Sequence, residues 1–207
     1  MKQDFVYKLI SFVDDKIVND LLLTLIEEDW FIDDYRQVAP TMSKTNSIPI
    51  FHTPQCAFDT GIGAFKTVQK NKLYDRYFEK IKPILNLLKN YYQYNYYTAF
   101  LSRLHPKSQI GEHSDIGLFL ENCYRIHLPI LTNKEVYYNI QGYDFNWLKG
   151  CLYEFDNTLV HGVINNSDQY RIHLVINLYN LPSELLSQLQ QDDFLLELNN
   201  EAFNSTI

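Results

Sequence analysis

At 207 residues, with 46% hydrophobic and 15% aromatic side chains, the chain has the length of one domain and enough apolar matter to fill its core. A formal net charge of −7 argues against a nucleic-acid-binding face, and no apolar run reaches the ~18 residues of a membrane span. Cys56, Cys123 and Cys151 are odd in number and lack Cys-x-x-Cys spacing, so reduced thiols in a cytoplasmic protein are expected rather than a disulfide framework.

The N-terminal residues Met1-Lys2-Gln3-Asp4 lack the apolar core of a signal peptide. Phe5 to Val13 alternates loosely and reads as a strand. Asp14 and Asp15 are N-cap candidates for a helix through Ile17, Val18, Leu21, Leu22, Leu25 and Ile26, ending near Asp29. From Asp33 to Phe65, prolines and glycines break any long element, and the segment reads as irregular. A second helix is expected from Leu73 to Tyr91, with Pro83 marking a kink or a junction of two helices.

Beyond Tyr91 the texture changes to short runs: Tyr96–Leu104, Tyr124–Leu131, Glu135–Ile140, Cys151–Phe155, Val160–Ile164 and Arg171–Tyr179. Turn residues separate them, which predicts a sandwich or barrel rather than βαβ units. Ser183 to Leu198 is Leu-rich, follows Pro182 and predicts a short C-terminal helix.

The chemistry concentrates between Ser102 and His173, which holds five of the six histidines. His113-Ser114-Asp115 with a distant His161 is the ligand set of a non-haem Fe(II) oxygenase, two imidazoles and one carboxylate. Arg171, ten residues past His161, suits a carboxylate-bearing co-substrate, because a guanidinium clamps a carboxylate with two parallel bonds. The net charge opposes an anion, so a local arginine pocket has to hold it. His113 and Asp115, Arg125 and His127, and Arg171 and His173 are each two apart, which on a strand sets both members of a pair on one face. Charged groups facing inward from apolar strands require partners, a metal or an anion.

Five ordered blocks carry a resemblance: Ser102-x-x-x-Pro106, Ile110-x-x-His113-x-Asp115, Arg125-Ile126-His127-Leu128-Pro129-Ile130, Phe155-Asp156-Asn157-x-x-x-His161-x-Val163-x-Asn165 and Arg171-Ile172-His173-Leu174. Over residues 96–180 the sequence resembles the aspartyl/asparaginyl β-hydroxylases. The resemblance implies a mainly β fold with flanking helices, built on a double-stranded β-helix (jelly-roll, cupin-like) core. That core would span 93–181, between a helical and irregular layer at 1–92 and a C-terminal helix and tail at 182–207, all in one domain. It implies Fe(II) held by His113, Asp115 and His161, with 2-oxoglutarate and O2 as co-substrates. Arg171 and Ser102 would bind the distal carboxylate of 2-oxoglutarate, and Arg125 and His127 would face its 1-carboxylate end. His173 is either a further group on the 2-oxoglutarate side or a core histidine. Lys107 departs from the family, many of whose members have Gly after the Pro.

On the substrate side, His52, Thr53 and Arg36 in the irregular segment and Trp147 are the candidates. A buried ion-pair network of Arg125 and His127 with Asp156 or Glu154 is the structural alternative. The expected reaction hydroxylates an unactivated C–H of a free amino acid or a derivative, giving succinate and CO2. An Asp or Asn residue in a protein or peptide is the next substrate class. A cupin-type metal protein that does not use 2-oxoglutarate is the competing class, but it would leave Arg171 idle and lacks the paired histidines such sites favour.

Overall fold

Two antiparallel sheets face one another, and their strand order brings distant histidines together. The computed structural model describes residues 5–34, 36–53 and 61–204. The chain begins with β1 (Tyr7–Phe12) and α1 (Asp15–Thr24), whose first turn is capped by the Asp14 carboxylate accepting from the Lys16 N–H at 2.7 Å. Two short 3-10 turns, Glu27–Phe31 and Pro40–Met42, precede β2 (Thr45–His52), α2 (Ile62–Lys66), β3 (Gln69–Lys70) and α3 (Tyr74–Leu88). Then come β4 (Tyr96–Leu104), β5 (Ser108–His113), α4 (Leu118–Glu121), β6 (Tyr124–Leu131), β7 (Val136–Ile140) and β8 (Tyr143–Phe145). β9 (Cys151–Phe155), β10 (His161–Asn165), β11 (Arg171–Tyr179), α5 (Ser183–Leu186) and α6 (Asp193–Asn204) complete it.

The larger sheet runs β1-β9-β6-β11-β4-β2-β3 and the smaller β5-β10-β7-β8. From β4 onward the chain passes back and forth between the sheets, so strands far apart in sequence pair inside each. This is the double-stranded β-helix, a jelly roll with helices on one side.

The central strands β4, β6 and β11 are covered on both faces, which is why they read as long runs of Ile, Leu, Val and Tyr. Side-chain alternation divides each strand between two environments. Leu101, Ile126, Leu128, Leu174 and Ile176 join the main core with Val18 and Leu21 of α1 and Tyr77, Ile81 and Ile84 of α3. The opposite face looks into the space between the sheets, where a smaller cluster includes Ile110, Tyr138, Trp147, Phe155 and Val163. Buried carboxylates tie the outer layers down. Asp29 accepts from Arg76 and Tyr77, and Asp192 accepts from Tyr74, Tyr97 and the Leu195 N–H.

The structure departs from the expected elements at several points: α1 stops at Thr24 and not near Asp29, and β5 and β8 are strands outside the expected runs. The segment read as irregular contains β2, buried along its length and paired with β4. Its polar residues Thr45, Asn46, Ser47 and His52 hide the apolar pattern. Pro49 sits where the register with β4 shifts, which is how a strand tolerates a residue without an N–H. The N-terminal layer therefore contributes β1, β2 and β3 to the larger sheet instead of only covering it. α3 runs through Pro83 as one helix. The C-terminal helix is two, broken between Leu186 and Asp193. Cys56 lies outside the described residues, and Cys123 and Cys151 are buried free thiols.

Candidate active site

The smaller sheet pairs β10 with β5 so that His161 stands opposite His113. Their ring centroids are 4.3 Å apart. Gly162 permits this approach: a Cβ there would lie 3.1 Å from the Ile110 carbonyl oxygen. Each imidazole is oriented by the backbone two residues before it. Nδ1 of His113 lies 2.8 Å from the Gly111 carbonyl, and Nδ1 of His161 lies 2.8 Å from the Leu159 carbonyl. A carbonyl only accepts, so both rings carry their proton on Nδ1 and leave the Nε2 lone pair free.

Asp115 lies past the end of β5 rather than on it, so strand parity with His113 does not explain its position. A turn places it instead: its N–H donates to the Asn157 carbonyl at 3.0 Å, and its Oδ2 accepts from Asn157 Nδ2 at 3.0 Å. Arg125 Nη1 is also 3.0 Å from Oδ2. These bonds leave Oδ1 toward the histidines, 4.0 Å from His113 Nε2. One ligand atom from each of His113, Asp115 and His161 lies within 4.8 Å of the others.

Burial works against the Asp115 carboxylate, but Arg125, His161, the Asn157 hydrogen bond and His113 outweigh it and hold its pKa below the ordinary value. Burial lowers the His161 pKa to about 4, against the opposing pull of Asp115. His161 is thus neutral and Asp115 ionised, and with His113 they make up the two-imidazole, one-carboxylate set that suits a divalent transition metal.

These residues open onto a cavity of about 250 Å³ between the sheets. Ser102 on β4, Arg125 and His127 on β6, and Arg171 on β11 line it, as do Arg36 and His52 from the N-terminal layer. Arg171 is 1% exposed, and burial pushes its pKa down while Tyr138 pulls it back. Its Nη2 donates to the Tyr138 hydroxyl, but its Nε and Nη1 have no partner among the described residues. His127 Nε2 is likewise buried and unpartnered. Burial holds His127 and His173 well below the ordinary histidine pKa, with Arg171 adding to the shift, so both are neutral.

Three expected site residues stand off the cavity wall. His173 is fully buried behind it, with Nδ1 2.9 Å from the Tyr138 hydroxyl and 3.3 Å from His127 Nδ1. It contacts groups that line the cavity but does not line it itself. Trp147 stacks on Tyr138 at 4.0 Å and on Tyr153 at 5.0 Å, forming a buried aromatic backing. Thr53 Oγ1 lies 2.5 Å from Thr67 Oγ1 within the core. The structural alternative for Arg125 also fails. Glu154 points to the other face of the sheet, where it meets Lys8 at 2.7 Å and Tyr92 at 2.5 Å, and Asp156 caps its own turn through Thr158.

Sequence reasoning missed Tyr138 and Asn157. Asn157 belongs to the motif at residues 155–165, and its position four residues before His161 was the available signal. Tyr138 lies in a short alternating run with nothing to distinguish it from sheet packing.

No helix among the described residues is long and apolar enough to cross a membrane. The curated proteins contain no match to the chain. Among solved structures, a prolyl-4-hydroxylase from Pseudomonas putida aligns with a TM-score of 0.50 at 11% identity, covering 86% of this chain and 95% of that one. The viral collagen prolyl hydroxylase from Paramecium bursaria Chlorella virus-1, solved with 2-oxoglutarate, aligns at 0.48 and 13%, covering 86% and 98%. A cupin domain from Bordetella pertussis aligns at 0.33 and 18%, covering 40% and 80%. At these identities the likeness is one of fold. The family model for aspartyl/asparaginyl β-hydroxylase matches residues 59–180, more than half of the sequence and all of the strands that build the cluster. The chain therefore belongs to the aspartyl/asparaginyl β-hydroxylase family of 2-oxoglutarate-dependent hydroxylases.

Proposed function

We propose that this protein hydroxylates an unactivated C–H bond of an amino acid or amino-acid derivative, consuming 2-oxoglutarate and O2 and releasing succinate and CO2. The observation that carries the reading is the convergence of His113, Asp115 and His161 on a cavity that also holds a buried arginine with two unpartnered donors. Two imidazoles and a carboxylate fit Fe(II), and an unpaired guanidinium fits a carboxylate. Bound Fe(II) would supply the oxidative chemistry, coupling decarboxylation of the keto acid to insertion of oxygen into the C–H bond.

The protein's own part is to bind, orient and exclude. His113, Asp115 and His161 hold the metal, with Asn157 and Arg125 fixing the carboxylate. Arg171, with Ser102 and Tyr138 beside it, takes the distal carboxylate of 2-oxoglutarate. Arg125 and His127 face the 1-carboxylate end. Phe100, Phe155 and Val175 keep the cavity wall apolar, which limits water around the reacting groups.

The test is succinate formation from 2-oxoglutarate with Fe(II) and ascorbate, run against the twenty amino acids and short peptides with product mass as readout. One added oxygen on one compound identifies the substrate. Normal turnover by His161→Ala or Asp115→Ala would refute the site. Failure of N-oxalylglycine, an inert mimic, to bind in calorimetry would favour the metal protein that does not use 2-oxoglutarate. Ile116 lines the cavity yet is 67% exposed, and this apolar rim favours, as a second reading, an Asp or Asn side chain presented on a peptide.

A further inference from the structure

Arg36 has no place in the machinery just described. It precedes residues 59–180, the region matched by the family model. Yet it reaches the same cavity as the cluster. Its guanidinium carbon lies 4.9 Å from the centre of the Phe100 ring, and its Nη2 is 3.3 Å from Met42 Sδ, a weak acceptor. Its Nε is buried without a partner among the described residues. The segment that carries it is seated firmly. The Arg36 carbonyl accepts from the Ala39 N–H at 3.2 Å, and a Cβ at Gly111 would lie 3.3 Å from Thr41 Cγ2, so the turn rests on the strand that bears His113.

Charge decides what such a group is for. Among the described residues, the cavity wall carries three guanidinium groups, Arg36, Arg125 and Arg171, against one carboxylate, Asp115. The Asp115 Oδ2 is already taken by Arg125 and Asn157. On the reading above, Fe(II) and 2-oxoglutarate cancel in formal charge, and Arg171 is used by the co-substrate. The loaded cavity then still holds a positive excess, with Arg36 unmatched. Three buried or half-buried cations around a small volume are unfavourable until an anion enters.

We propose that Arg36 is the substrate-recognition residue and that the substrate presents a carboxylate to it. The proposal rests on the hydroxylase reading and narrows it to acidic or carboxylate-terminated compounds, free or within a peptide. His52, also on the cavity wall and held neutral by burial, adds no competing charge. Phe100 supports the guanidinium from its ring face, and the Met42 sulfur is only a weak acceptor for Nη2.

The test is calorimetric titration of the full chain loaded with Mn(II) and N-oxalylglycine. The panel is the twenty amino acids, their N-acetyl and C-terminal amide forms, and tripeptides centred on Asp and Asn. The expected result is a carboxylate compound that binds at least about tenfold more tightly than its amide counterpart. Arg36→Gln removes that preference, Arg36→Lys restores part of it, and both bind N-oxalylglycine as the wild type does. A carboxylate preference that survives Arg36→Gln overturns the proposal, as does a panel with no carboxylate binder. Loss of N-oxalylglycine binding in Arg36→Gln also overturns it, because Arg36 would then serve the co-substrate. Failure of N-oxalylglycine to bind the wild type strikes instead at the hydroxylase reading beneath it.

Discussion

Arg171→Met is expected to make the empty protein more stable while removing its affinity for the co-substrate. The native guanidinium is 1% exposed, and its Nε and Nη1 are shut off from solvent with no acceptor among the described residues. Each such donor costs about 1 kcal/mol or more, so the pair costs about 2 kcal/mol in the absence of ligand. Burial also depresses the Arg171 pKa, the mark of a charge held where it is poorly solvated. Met has similar length and no donors, and replacing buried charge by apolar volume is commonly stabilising. The Tyr138 hydroxyl keeps its contact with His173, so little new is left unsatisfied. In a chain of this size ~2 kcal/mol corresponds to a rise of roughly 4–8 °C in Tm. Calorimetric melting of the metal-free proteins measures it, and N-oxalylglycine titration with Mn(II) present measures the lost affinity. A variant that melts lower than the wild type, or that binds N-oxalylglycine equally well, would refute the account of Arg171 as an anion site kept empty at a cost.

Three further outcomes follow from the same geometry. Asn157→Ala removes a bond to the Asp115 Oδ2 and another to the Leu120 carbonyl, so Mn(II) affinity is expected to fall about tenfold or more by calorimetry, with N-oxalylglycine unable to restore it. Gly162→Ala places a methyl group 3.1 Å from the Ile110 carbonyl and should spread β5 from β10, weakening Mn(II) binding more than it lowers Tm; an unchanged metal affinity would show that the strand spacing does not set the site. The metal-free protein should be acid-labile. His52 and His161 have folded pKa values lowered to about 3 and about 4 from 6.5, and those of His127 and His173 are also low. Such groups contribute stability that is complete above pH 6.5 and is lost as pH falls toward the folded values, because the unfolded chain takes up the protons first. Each contributes a slope on the order of 1 kcal/mol per pH unit, so Tm should fall steeply between pH 6.5 and 5, less steeply in His52→Asn. A flat profile would refute the buried neutral histidines.

What the sequence made legible follows from which signals are local. The strands β4, β6, β9 and β11 were readable because burial on both faces leaves long β-branched and aromatic runs. The convergence of His113, Asp115 and His161 near Arg171 was readable because their residue types sit at fixed spacing in the motifs. β2 was hidden, since four of its eight buried residues are polar and it contains a proline, and its place beside β4 is a long-range fact. Tyr138 was hidden for the same reason: its value comes from meeting Arg171 and His173 across the gap between two sheets. The strand-parity reading held for Arg125 with His127 on the cavity wall. For His113 with Asp115 it gave a shared location for the wrong reason, because a turn anchored by Asn157 performs the placement. Arg171 and His173 share a face, but only Arg171 reaches the cavity.

The alternation along β4, β6 and β11 has a consequence for how this protein can diversify. Phe100, Ser102, Arg125, His127, Arg171 and Val175 look into the cavity, while their immediate neighbours Leu101, Ile126, Ile172 and Leu174 belong to the helix-facing core. Chemistry and foldability are thus written on interleaved residues of the same three strands. Exchange at Phe100 or Val175 redraws the wall of the cavity, whereas exchange one position along strikes the packing against the helices and leaves the cavity's shape as it was.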